Sequence, residues 1–168
     1  MCDCADVRGG GASRKNAPSF IYEILHGKSR SLPGRTDAHA QKIWKGISID
    51  EHIPTEALDE LDKMEAIELR ASCEGSGLDH PTFLIFRFRG EEDLQKIANF
   101  VAGMNAIEDI KCGAEKGRMG LFRIGVTTPL WYQKDPRKFE RWWQQLPTKI
   151  RVVLAVLESL ATELQESV

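Results

Sequence analysis

The feature that most constrains this chain is a repeated switch of apolar period between Pro54 and Leu164. Behind Pro54 and Thr55, the residues Ala57, Leu58, Leu61 and Met64 recur at helical spacing, with proline placed where a helix start tolerates it. Ile67, Leu69, Ala71 and Cys73 then alternate strictly with Glu68, Arg70 and Ser72, the pattern of a half-buried strand. After a loop, Thr82 to Arg89 reads Thr-Phe-Leu-Ile-Phe-Arg-Phe-Arg, the strongest strand signal in the chain. Gly90 ends it. Glu91, Glu92 and Asp93 are expected in the first turn of a helix, where the helix dipole favours acids. Leu94, Ile97, Ala98, Val101 and Met104 give that helix its buried face.

The cycle then repeats. Ile107 to Glu115 reads as a weaker strand, 116–120 as a turn and Leu121 to Thr127 as a strand. Asp135-Pro136 caps a helix carrying Phe139, Trp142, Trp143 and Leu146. Pro147 is expected to restart the chain into a last helix that buries Ile150, Val153, Leu154, Leu157, Leu160, Ala161 and Leu164. This order predicts an α+β fold: a two-layer sandwich with a mostly antiparallel four-stranded sheet and helices on one face. Ala66-Ile67-Glu68 is echoed by Ala106-Ile107-Glu108, which suggests a duplicated ββα unit.

A chain of 168 residues, 42% apolar, is long enough for one such core. At that size about two-thirds of the unfolded surface is buried, so no disulfide is needed. The α+β domain is placed at 48–168. Residues 1–17, with Gly9-Gly10-Gly11, read as a flexible N-terminal arm. Residues 18–47 read as an irregular extension with short helices at Ser19–His26 and Asp37–Lys45.

The net charge of −2 conceals an uneven distribution. Residues 1–46 hold eight Lys/Arg against four Asp/Glu, 47–110 hold five against fifteen, and 111–168 hold ten against six. Basic termini pairing with the acidic middle account for this, while contact with an acidic partner such as RNA is permitted. No apolar run approaches the ~18 residues of a membrane span. The start Met-Cys-Asp-Cys-Ala-Asp lacks a signal-peptide pattern. The expected location is cytoplasmic, with the cysteines reduced. Cys73 and Cys112 are read as small buried hydrophobes. Cys2 and Cys4 are spaced too closely for the common zinc pattern, so no metal is expected. His26, His39 and His52 are read as isolated surface residues.

The loop after the first strand of the four-stranded sheet is the place most suited to chemistry. Arg70-Ala-Ser72-Cys73-Glu74-Gly75-Ser76-Gly77-Leu-Asp-His80-Pro81 sets a thiol, carboxylates, an imidazole and hydroxyls among flexible glycines. Glycine there permits close backbone approach or a positive φ, and its amides can face an anionic ligand. Cys73, His80 and Glu74 are the candidate catalytic residues, as nucleophile and acid–base partners. Arg70, Ser72, Gly75, Ser76 and Gly77 are candidate ligand contacts. A second segment, Trp131 to Gln145, interleaves aromatics with Lys134, Arg137, Lys138 and Arg141, the mixture that binds single-stranded nucleic acid. Its spacing suits a core helix face better, to which Phe139, Trp142 and Trp143 are assigned; Trp131 and Tyr132, after Pro129, remain as candidate cleft residues.

Ser72-Cys73-Glu74-Gly75, preceded by a helix and followed by Thr-Phe-Leu-Ile-Phe-Arg87, resembles the Ser-Cys-x-Gly motif of the tRNA-wybutosine-synthesis methyltransferases, with Ala71 in place of their first serine. It is also similar to small uncharacterised bacterial and phage proteins with a Ser-Cys-Glu-Gly motif. The first resemblance implies an RNA- or nucleotide-related protein, methyl transfer and S-adenosylmethionine as cofactor. The alternative is a non-catalytic module that binds a protein partner.

Overall fold

The computed structural model describes residues 39–78, 80–117 and 120–168. The expected arm at 1–17 and helix at Ser19–His26 lie outside the described residues. The fold is α+β. Strands β1 (Gln41–Trp44) and β2 (Ile47–Asp50) form a two-stranded antiparallel sheet. Helix α1 (Thr55–Asp62) follows, then β3 (Ile67–Cys73), β4 (Phe83–Phe88), α2 (Leu94–Asn105), β5 (Lys111–Lys116), β6 (Phe122–Thr127) and α3 (Pro136–Glu166). The second sheet has the order β3-β4-β6-β5, with every neighbouring pair antiparallel. The second strand of each hairpin therefore lies at the centre, the arrangement that two paired ββα units imply.

Register divides the large sheet into two faces, because directly paired residues point to the same side. Ile67 pairs with Phe88 and Leu69 with Phe86, while Leu84 meets Val126 and Phe86 meets Ile124. These residues face the helices and join Phe100, Met104, Phe139, Trp143, Leu146 and Ile150 in one core. Phe86 and Phe88 meet Phe100 edge-on at 5.8 and 5.3 Å between ring centroids, a favoured aromatic geometry. At Gly103 a Cβ would lie 2.9 Å from a Val153 methyl, so glycine lets α2 approach α3 closely.

Four expectations are corrected. The segment 37–45, read as a helix, contributes β1 instead. Lys45 and Gly46 both take positive φ, 47° and 77°, the geometry of a two-residue hairpin turn whose twist matches its strands. Second, Pro147 does not break the chain. It lies buried inside the continuous α3, and tertiary packing around it outweighs the helical hydrogen bond that proline cannot make. Third, Asp93 is the N-cap of α2 rather than part of its first turn, accepting bonds from the amides of Gln95 and Lys96. The helix consequently buries Ile97, Phe100 and Met104, while Leu94 is exposed. Fourth, the apolar stripe of α3 is buried only to Leu154, with Leu157 half-buried; Leu160 and Leu164 are 51% and 71% exposed.

Truncating the two ends of this pattern should separate them. Phe100→Ala should lose about 3–5 kcal/mol in chemical denaturation, whereas Leu160→Ala should stay within about 0.5 kcal/mol of the parent.

On the outer side of the β3–β4 hairpin, Glu68 lies 2.7 Å from Arg87 and 3.0 Å from Arg70. The Arg87 hydrogen bond, with Arg70 behind it, holds the Glu68 carboxyl below the usual carboxylate range. A depressed folded-state pKa contributes stability above the unfolded value and loses it as pH falls through the folded one. Glu68→Gln should therefore leave a shallower acid-side fall in stability, read from denaturation midpoints on the acid side of neutrality.

Candidate functional site

Strict alternation would place Ile67, Leu69, Ala71 and Cys73 on one face of β3. The strand instead shifts register between Leu69 and Ala71, after which Ala71 pairs with Ile85 and Cys73 with Phe83. An extra residue of this kind turns the strand over and re-aims the side chains beyond it. Cys73 is thereby carried to the reverse face, beside Phe83 and away from Leu84 and Phe86.

Gly75 begins the loop at the end of this strand. Its φ is +76°, and a Cβ there would come within 2.6 Å of the Pro81 carbonyl carbon and the Thr82 amide nitrogen. Glycine is required on both counts: positive φ and close backbone approach. The returning chain is fixed by the Ser76 amide donating to the His80 carbonyl at 2.7 Å and the His80 amide donating to Gly77 at 3.0 Å. The Gly75 amide donates to Cys73 Sγ at 3.4 Å. Cys73, Glu74 and His80 are all buried.

Glu74 is the hub. Its own amide donates to Asp50 Oδ2 at 2.8 Å. One carboxylate oxygen accepts from the His52 amide at 3.1 Å and faces His52 Nδ1 at 3.0 Å. The other lies 3.4 Å from His39 Nδ1. The His52 ring stacks on Tyr132 at 3.6 Å, and the Tyr132 amide donates to the Glu74 carbonyl at 3.4 Å. A nearly fully buried carboxylate is held by two imidazoles and a backbone amide, which offsets its desolvation.

His39 and His52 are thus not isolated surface residues; only 6% of the His39 side chain is exposed. A ring nitrogen of His39, a carboxylate oxygen of Asp50 and Cys73 Sγ lie within 4.8 Å of one another. His80 completes the surroundings, its ring centroid 6.5 Å from that of His39 and 6.1 Å from Phe83.

The structure therefore brings together Cys73, Glu74, Gly75 and His80, with Ser76 and Gly77 in the same turn. Ser72 pairs with Leu84 on the helix side of the sheet. Arg70 is exposed and bonded to Glu68. Trp131 is half-buried beneath the Lys134 ammonium, 5.0 Å from its ring centroid. Phe139, Trp142 and Trp143 are core residues. The sequence pattern alone does not reveal His39, Asp50, His52 and Tyr132 as neighbours. The Asp50-x-His52 pair just before Pro54 was the available signal, hidden by the absence of any visible hairpin upstream.

Cys73 has no exposed surface, whereas a reactive thiol is ordinarily partly exposed in an electropositive setting. Cys112 is buried beneath α2, and desolvation pushes its thiol pKa up to about 12. No described helix is long and apolar enough to cross a membrane. No protein-family model matches this sequence, and searches of curated proteins and solved structures give no match.

Two glycines test the loop. Gly75→Ala meets both a positive φ and a backbone clash, and should cost more than about 2 kcal/mol. Gly90, with φ +87° and no atom of the described residues within 4 Å of its Cβ position, carries the conformational term alone. Gly90→Ala should cost about 1–2 kcal/mol by thermal melting.

Proposed function

We propose that this protein is a non-catalytic interaction module whose partner supplies a basic amphipathic helix. The observation that carries this reading is the projecting end of α3. From Leu157, the residues Leu160, Ala161, Leu164 and Val168 prolong the stripe that Ile150, Val153 and Leu154 bury in the core. Among the described residues, the stripe continues beyond those that pack against it. Val152 and Val156 widen it, at 54% and 53% exposed. An exposed apolar helix face with helical repeat suits the packing of a second helix.

Charge selects the kind of helix. After Arg151 the chain contains no Lys or Arg, and Glu158, Glu163 and Glu166 are its charged residues. A second copy of the same stretch would bring acid against acid. A helix with Leu on one side and Lys or Arg beside it gains contact and attraction together.

The RNA- or nucleotide-directed reading, including methyl transfer with S-adenosylmethionine, has less to support it. Phe139, Trp142 and Trp143 are committed to the core and offer no stacking surface, leaving Trp131 and Tyr132 at its edge.

A labelled Leu-faced, Lys-flanked helical peptide should bind the full chain with an anisotropy change that weakens as salt rises. Leu160→Asp with Leu164→Asp should abolish that change while leaving thermal stability within about 1 kcal/mol. Equal binding of a Glu-flanked peptide would overturn the charge argument. A concentration-dependent dimer lost in the same variant would replace the basic partner with self-association.

A further inference from the structure

We infer that His39, Asp50 and Cys73 form a binding site for a zinc-like divalent cation, with Glu74 as the outer carboxylate that orients His39. Three donors of different type converge from three places in the chain: a residue just before β1, the end of β2 and the end of β3. Imidazole, carboxylate and thiolate together suit a borderline metal such as zinc, whereas calcium and magnesium take oxygen sets.

The orientation of His39 supplies the independent evidence. Glu74 lies beside Nδ1, and a proton held on that nitrogen by the carboxylate leaves the Nε2 lone pair as the ring's metal-binding position. Nε2 is buried and has no hydrogen-bond partner among the described residues. A carboxylate behind one imidazole nitrogen, with the other nitrogen left for the metal, is the usual carboxylate–histidine–metal arrangement, and His39 has both the carboxylate and the buried second nitrogen. The Gly75 amide on Cys73 Sγ adds a donor that favours the sulfur as thiolate.

Tetrahedral zinc, with bonds of about 2.0–2.3 Å, holds its donor atoms roughly 3.3–3.8 Å apart. Binding must therefore shorten the separations between the three donors by up to about 1.5 Å from their 4.8 Å limit, and it leaves one position for a solvent ligand. The zinc–sulfur bond forms as the Cys73 S–H bond breaks heterolytically, the proton passing to solvent; no electron changes hands. With Asp50 and Cys73 both anionic, a divalent ion makes the inner set neutral. Its effect is to tie the β1–β2 hairpin to the large sheet.

The full-length chain, stripped with chelator and reloaded, tests this. One zinc per chain is expected by elemental analysis. Cobalt(II) should give a thiolate-to-metal charge-transfer band that Cys73→Ala removes and that Cys2→Ala with Cys4→Ala retains. Competition against a chromophoric chelator should show Glu74→Gln weaker by roughly 10–100-fold. His39→Gln should lose at least about tenfold, and it serves as the deciding variant if Cys73→Ala does not fold. Absence of the band from the parent chain, its survival in Cys73→Ala, its loss with Cys2 and Cys4, or unchanged affinity in His39→Gln would each overturn the assignment.

Discussion

One hydroxyl joins the helical layer to the site. Thr82 Oγ1 accepts from the Trp143 indole N–H at 2.9 Å and donates to the Cys73 carbonyl at 2.7 Å. The Thr82 carbonyl accepts from Thr127 Oγ1 at 2.6 Å, and its amide donates to Leu130 at 2.8 Å. Thr82 and Trp143 are fully buried. In such a setting each bond is worth more than in water, and an unmade bond leaves a stranded polar group. Helix α3, the end of β3, the start of β4 and the chain after β6 are thus mutually positioned through one residue. The position of Cys73 depends on a helix some seventy residues away in sequence.

Much of the architecture was written in apolar period. The Ile67–Cys73 alternation, the run from Thr82 to Arg89 and the capped start at Asp135-Pro136 specify their elements locally, because each pattern has one low-energy backbone. What failed to show were features decided by neighbours. The β3 register shift depends on pairing with β4, so the alternation kept Cys73 on the wrong face. The Lys45-Gly46 turn lacks the asparagine or aspartate that makes such turns conspicuous, and the hairpin bringing Asp50 to Glu74 went unseen. Pro147 stays helical because the core around it outweighs one lost hydrogen bond. At the loop itself, glycine at position 75 did announce a strained close approach, although not the histidines that would meet behind it.

Helix α3 divides its length between two tasks. Up to Leu154 its apolar side completes the core against α1 and α2; beyond Leu157 the same side continues into solvent with acidic flanks. The half ending at Trp143 and Ile150 fixes the direction in which the other half projects. A partner bound there would be held at a set angle to the sheet, and the buried carboxylate cluster would retain its own geometry.

The strand order has a kinetic consequence. β3 pairs with β4, and β5 with β6, across short connections, so each hairpin can close with little loss of chain entropy. Only the β4–β6 pairing joins distant parts of the sequence, and it must wait until α2 has folded back across the gap. Sheets that assemble this way concentrate their strand-pairing search into one late closure. The central seam, where Phe86 meets Ile124 and Leu84 meets Val126, is then the place where two separately formed halves become a single cooperative body.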